Sequence, residues 1–238
     1  MAFDWLEFRR GVVDILPVVT AALPIGLLFG TLAAAKGITP VEAMVMSATV
    51  YGGAAQFVAV DLWTNPAPVV LLTLTVFLVQ IRHIMMGVSF ARHMGRFPPW
   101  QRPLAMFFLV DEVWAFAERR ALGGPVPPAY WWGMSLALWG QWVVGTTVGS
   151  VLGRSLGDPK DFGFDFAFTA TFICILIGFI RSWRTGAVLA ASGIAAALAK
   201  LAIPGAWYIA VGGLAGVAVA YLLAGEEEGS ARKAEAGP

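Results

Sequence analysis

The chain has 238 residues, 58% of them hydrophobic and only 13% charged, with a net charge of +1 at pH 7. Soluble domains carry roughly 25% charged residues, so water is not the solvent for most of this surface, and the composition is that of an all-α polytopic membrane protein. A net charge so close to zero offers no concentrated basic face for nucleic acid. The single cysteine, Cys174, lies in an apolar run, closes no intrachain disulfide and reads as a small packing residue.

Residues 1–225 read as one transmembrane transport domain of seven to eight hydrophobic segments, preceded within 1–13 by a short interfacial helix. Along Phe3 to Val13, Trp5, Leu6, Phe8, Val12 and Val13 alternate with Asp4, Glu7, Arg9 and Arg10, the pattern of a helix lying in the headgroup region. It does not read as a cleaved signal, because the apolar run that follows is too long, holds two prolines and is succeeded by many similar runs. Residues 226–238 are charged, small and without periodicity, which predicts a disordered tail.

Segment 1, about Ile15 to Ala35, is near the roughly 20 residues a bilayer crossing needs, with Pro17 and Pro24 as kinks and Gly26-xxx-Gly30 as a close-contact face. Segment 2 runs from Pro40 to about Trp63 and holds Gly52-Gly53 at its middle. A glycine pair loosens a helix by about 1 kcal/mol per residue relative to alanine, so a break is expected there. Gln56 lies one turn on, with its amide expected to point toward the same gap. In a bilayer, freed backbone groups persist only against protein or a polar cavity. The plain alternative is that the two glycines serve close helix packing.

Segment 3, Ala67 to Ala91, carries Gln80, Arg82 and His83 well inside. Segment 4, about Pro103 to Ala117, is short and holds Asp111 and Glu112 side by side; it is the weakest candidate for a full crossing. Segment 5, Tyr130 to Leu152, ends in Gly145-xxx-Gly149-xxx-Gly153. Segments 6 (Phe166 to Ser182), 7 (Thr185 to Ile203) and 8 (Trp207 to Ala224) follow, the last with Gly212-xxx-Gly216. At least one of these small-residue faces is expected to meet another subunit, against the simpler reading that each packs inside the chain.

The positive-inside rule draws Arg92, Arg96 and Arg102 to the cytoplasm together with Arg119-Arg120 and Arg181/Arg184. All three groups are satisfied if segment 4 enters and leaves on one side, giving seven crossings, but Arg9 and Arg10 then fall outside. Ser47-Ala48-Thr49 resembles Thr169-Ala170-Thr171, and Val69 to Arg82 resembles Ala187 to Lys200, which fits an inverted repeat with broken helices if segment 4 is re-entrant.

A charge at Arg82 costs a few kcal/mol at bilayer depth unless it finds a partner, and the acids available are Asp111 and Glu112. Adjacent residues on a helix diverge by about 100°, so one acid is expected to brace Arg82 while the other reaches a cavity, binds an amine or carries a proton. If that pair is dry, removing Arg82 alone costs about 3–5 kcal/mol. His83, with an ordinary pKa near 6.5, is a proton-coupling candidate beside Asp111 and Glu112, although a lone helical histidine is commonly a hydrogen-bonded core residue. His93 and Cys174 are too isolated for a metal site. No phosphate-binding loop is present, and no nucleophile, metal set or cofactor motif accompanies the acids, so an enzyme is disfavoured.

Gly53-Ala54-Ala55-Gln56-Phe57, the Gln80-Ile81-Arg82-His83 run and Asp111-Glu112 resemble, in order and approximate spacing, the AzlC-type branched-chain amino-acid exporter permeases. The resemblance covers about Val12 to Leu223. It implies a large multi-pass subunit of the bacterial cytoplasmic membrane that works with a small AzlD-type subunit and exports valine, leucine or isoleucine, with no cofactor. Gln80 stands where the family pattern has asparagine, a shift of one methylene. The substrate-binding candidates are Gly52, Gly53, Gln56, Phe57, Gln80, Arg82, Asp111 and Glu112. Loosened backbone N–H groups or Arg82 would take a carboxylate and a buried acid an ammonium, while Phe57, Val58 and Met86 would meet a branched side chain. The alternative from another class is a passive channel or a non-transporting membrane scaffold.

Overall fold

The computed structural model describes residues 4–155, 173, 177, 180, 182–202 and 207–235, and among these every regular element is a helix. In chain order they are α1 (Trp5–Ala35), α2 (Pro40–Val50), α3 (Gly53–Asp61), α4 (Val69–Gln80), α5 (Arg82–Ala91), α6 (Gln101–Phe107), α7 (Asp111–Ala121), α8 (Pro128–Ser155), α9 (Trp183–Ala202) and α10 (Trp207–Glu235). Contacts divide the chain into two units, Met1–Pro68 with Val79–Phe168, and Val69–Leu78 with Thr169–Pro238.

The first unit is built on α1 and α8, which run parallel. A Cβ on Gly11 or Gly133 would strike the backbone of Tyr130 or Phe8, and one on Gly30 or Gly149 would strike that of Thr146 or Leu27. Glycines on both helices therefore let the two backbones touch along their lengths, the contact that small residues permit in apolar surroundings. Gly26-xxx-Gly30 and Gly145-xxx-Gly149-xxx-Gly153 thus meet each other rather than a further subunit. In the second unit, Gly212 and Gly216 approach Ala196 and Ser192 of α9. All three stripes are used inside the chain, which corrects the expectation of an intersubunit face.

Two hairpins rise along this axis from opposite ends. Thr39 and Glu42 form a capping box at the start of α2: the Glu42 N–H donates to Thr39 Oγ1 at 3.2 Å, and the Thr39 N–H donates to Glu42 Oε2 at 2.7 Å. The helix stops at Tyr51, which takes the left-handed conformation at φ 43°, and Gly52, extended at φ −137°, turns the chain into α3. At the end of α3 the Asp61 carbonyl accepts from Lys36 Nζ at 2.9 Å, so the hairpin closes at the end where α1 finishes. Segment 2, expected to cross, instead returns to its starting end.

The second hairpin, α6 and α7, comes from the other end. Trp132 Nε1, near the start of α8, donates to Gln101 Oε1 at 3.0 Å, and Phe108 reaches Trp139 at 6.0 Å between ring centroids. The chain is extended at Val110, and α7 runs back until Arg120 Nη2 donates to Glu7 Oε2 at 3.2 Å. Asp111 and Glu112 in its first turn and Arg119 and Arg120 in its last complement the helix dipole. The principal core lies in this half, where Phe90 stacks on Trp131 at 4.1 Å and Ile15, Val113, Ala117, Tyr130 and Met134 are buried.

Several expectations change. Residues 5–13 are the first turns of α1, not a separate interfacial helix, because no breaker separates them from the apolar run, and Pro17 and Pro24 sit inside the continuous helix. Among the described residues, α1 and α9 are long and apolar enough to cross a membrane, and α4 with α5 adds a third if that pair, broken at Ile81, is one span. That is fewer than the seven to eight segments expected, since the apolar runs of segments 2, 3 and 4 each divide near the middle into short helices. The backbone of α10 continues to Glu235, through a stretch expected to be disordered and rich in the strong helix formers Ala, Glu, Lys and Arg. Cys174, Arg181 and the Thr169-Ala170-Thr171 half of the internal similarity lie outside the described residues.

Candidate functional site

The helix breaks converge within the first unit. The tip of the first hairpin meets Gln80, whose side-chain amide lies where a Cβ of Gly52 would be, 2.5 Å from Nε2. Arg82, at the start of α5, places Nη1 2.8 Å from Asp111 Oδ2 at the start of α7. The two hairpin tips also touch, through the Tyr51 ring against Phe107 and Phe108 at centroid distances of 6.3 and 5.9 Å. The starts of α3, α5 and α7 are thereby gathered at one place, beside Trp142, the nearest neighbour of Gly53. Trp142 stands near the middle of the 28-residue α8. Helix starts carry unpaired N–H groups and partial positive charge, so together they favour an anionic group.

Asp111 is therefore the acid that braces Arg82. The pair is not dry: the side chains of Arg82 and Asp111 are 42% and 45% exposed. The large penalty for breaking a fully buried pair does not apply to it. Glu112 is exposed. It has no ion-pair partner among the described residues, and it sits close enough to Tyr51 for its charge to be felt there. His83 Nδ1 lies 3.1 Å from the Gln80 carbonyl, one turn back along the broken segment.

Three of the predicted residues make packing contacts inside the bundle. Gln56 is fully buried and faces away from the tip, toward α2 and α8: its Nε2 donates to Ser47 Oγ at 3.0 Å and its Oε1 accepts from Trp142 Nε1 at 2.9 Å. Ser47 in turn donates to Thr146 Oγ1 at 3.0 Å. Each such bond contributes about 1 kcal/mol net, but leaving a buried amide unpaired costs more, so this chain of bonds fixes the hairpin against α8. Phe57 is buried edge-on against Phe29 at 5.3 Å, and Gly53 makes room for Trp142. The helical period put Gln56 one turn after Gly52, but Gly52 precedes the helix and meets Gln80, whereas the Gln56 amide turns with Gly53 toward Trp142.

Two residues were missed. Tyr51 is 5% exposed, and its hydroxyl has no hydrogen-bond partner among the described residues; nor do Gln80 Oε1 and Arg82 Nε. An aromatic residue directly before Gly-Gly was the available signal. Glu118, at the far end of α7, accepts from Ser89 Oγ at 2.7 Å and pairs with Arg92, which clamps α5 to α7 a second time. Nothing in the sequence distinguished it from a solvated surface acid. Among the described residues no group of His, Cys, Asp and Glu could hold a metal ion.

A helical protein with long apolar helices and two opposed hairpins whose tips meet at a cluster of polar and charged side chains belongs, by these features, among membrane proteins. Residues 17–156 match the sequence model described as AzlC protein, and the chain belongs to the AzlC family. It is 30% identical to the "Inner membrane protein YgaZ" of Escherichia coli (strain K12) over 204 residues, covering 83% of each chain. It is 31% identical to an "Uncharacterized membrane protein" of Archaeoglobus fulgidus, covering 81% of this chain and 84% of the relative, and 29% identical to another so described from Helicobacter pylori (strain J99), covering 86% and 90%. No solved structure matches.

Proposed function

We propose that this chain is the large subunit of a secondary transporter that exports branched-chain amino acids such as valine, leucine and isoleucine across the bacterial cytoplasmic membrane. It would work with a small AzlD-type membrane subunit and be driven by an ion or proton gradient. The observation that carries the reading is the gathering of the starts of α3, α5 and α7 around the Arg82–Asp111 pair. Broken helices that end at such a place are the usual way a carrier builds an amino-acid site: helix starts and a guanidinium attract the carboxylate, while an acid, here Glu112, attracts the ammonium. The two hairpins read as re-entrant loops from opposite membrane faces.

Proteoliposomes loaded with labelled valine, with the small subunit present, should show efflux above empty vesicles and exchange of internal for external valine. A scaffold would do neither, and a passive channel would release valine without accelerated exchange. For the driving force, His83→Gln should abolish dependence on the pH gradient while exchange persists. Full gradient-driven efflux in that variant would leave Asp111 and Glu112 as the proton candidates.

The Arg120–Glu7 contact sets Arg9 and Arg10 at the same end as Arg119 and Arg120. Arg92 joins them through Glu118. With Arg9 and Arg10 at the same end as the other arginines, the positive-inside rule supports a cytoplasmic placement of this end and of the N-terminus. A cysteine placed at Asp4 in a Cys174→Ser background should be labelled by an impermeant maleimide only after the membrane is opened. Labelling from outside intact cells would reverse the orientation.

A further inference from the structure

We propose that Tyr51 is the specificity-determining contact for the carboxylate of the transported amino acid, an inference that rests on the transport reading above. Among the described residues Tyr51 is the one non-glycine residue with positive φ. A Cβ crowds the backbone carbonyl there, so the conformation persists only where surroundings impose it, and such positions concentrate at ligand sites. The surroundings are visible: the ring is held at the meeting of the two tips by Phe107 and Phe108, and the next residue, Gly52, is pressed by Gln80. What the surroundings do not provide is a partner for the hydroxyl, although the residue is 5% exposed. A hydroxyl that served only packing would be better replaced by phenylalanine.

The unpaired atoms of the residues gathered at the two tips are complementary to a zwitterion. Tyr51 Oη–H and Arg82 Nε–H are donors, and Gln80 Oε1 is an acceptor. The start of the nine-residue α3, two residues after Tyr51 and without a side-chain cap, adds donors. A carboxylate satisfies the donors, and an ammonium satisfies Gln80 together with Glu112. Because the same ring bridges the two hairpin tips, binding at the hydroxyl acts directly on the contact between them.

The test uses the full chain co-expressed with its small subunit, and three probes: L-valine, 3-methylbutanoate, which lacks the amine, and 2-methylpropylamine, which lacks the carboxylate. Tyr51→Phe keeps the ring and removes only the hydroxyl. Its thermal midpoint without ligand should equal or exceed that of the parent, because an unpaired buried hydroxyl is gone. L-valine and 3-methylbutanoate should bind about tenfold more weakly, the loss expected for one hydrogen bond to a charged group, and 2-methylpropylamine as before. Equal weakening of all three probes, unchanged valine binding, or a lowered midpoint would overturn the assignment while leaving the transporter reading intact. A parent complex that binds none of the three would overturn both.

Discussion

Arg82→Gln is expected to abolish valine efflux while leaving a folded protein. The Arg82–Asp111 pair is close to half exposed, so its direct contribution to stability is about 1 kcal/mol or less, and the thermal midpoint should fall by only a few degrees. On the proposed transport reading its contribution to binding is larger, because a guanidinium hydrogen-bonded to a carboxylate is worth about 1.5–3 kcal/mol, or roughly 10- to 100-fold in affinity. Asp111→Asn alone should cost less than Arg82→Gln, since Arg82 keeps its charge and its free Nε. The double variant Arg82→Gln with Asp111→Asn decides the role of the pair. Recovery of both stability and efflux would mean that the pair only ties α5 to α7, a task that Glu118 already shares through Ser89 and Arg92. Recovery of stability without efflux is the expected result, because transport requires the charge and the fold does not. Glu112→Gln should weaken L-valine and 2-methylpropylamine but spare 3-methylbutanoate, the reverse of the pattern expected for Tyr51→Phe.

The second large effect is structural. Gly149→Leu should prevent folding of the first unit, seen as loss of monodisperse protein after extraction. A Cβ at this position would collide with the Leu27 carbonyl and stand 2.7 Å from Leu27 Cα, and both are backbone atoms that cannot swing aside. The side chain fits only if α1 and α8 separate, which also pulls apart the Gly26–Gly145 and Gly30–Thr146 contacts along the same seam. Overpacking typically costs about 1–3 kcal/mol and occasionally more, and here backbone has to move. Gly140→Leu on the same helix is the control, because nothing lies within 4 Å of a Cβ there. A folded, transporting Gly149→Leu protein would mean that the α1–α8 seam opens without loss.

The membrane class, the break at Gly52-Gly53 and the pairing of Arg82 with one of two adjacent acids were all readable from the chain. They follow from local rules: composition sets the solvent, adjacent glycines weaken a helix, and a deep charge requires a partner. The choice of Asp111 over Glu112 was not readable, because the two differ by a rotation about α7 that only the position of α5 resolves. Gln56 shows the same boundary. Helical period placed it one turn after Gly52, but the direction of its amide depended on Ser47 and Trp142, nine residues before it and 86 after it.

What the sequence determined by itself is where helices start, stop and break, since capping residues, glycines and charge act within a turn or two. What only the tertiary structure decided is the direction the chain takes after each break. Segment 2 has the length and apolarity of a crossing, yet Lys36 and the Asp61 carbonyl show it turning back, and Arg120 with Glu7 shows the same for segment 4. Apolar stretches that cross and apolar stretches that return bury the same kinds of side chains. The distinction lies in contacts between residues 25 and 113 positions apart, and with it lies the site, which exists only because two returning tips bring Tyr51 to Phe107 and Phe108.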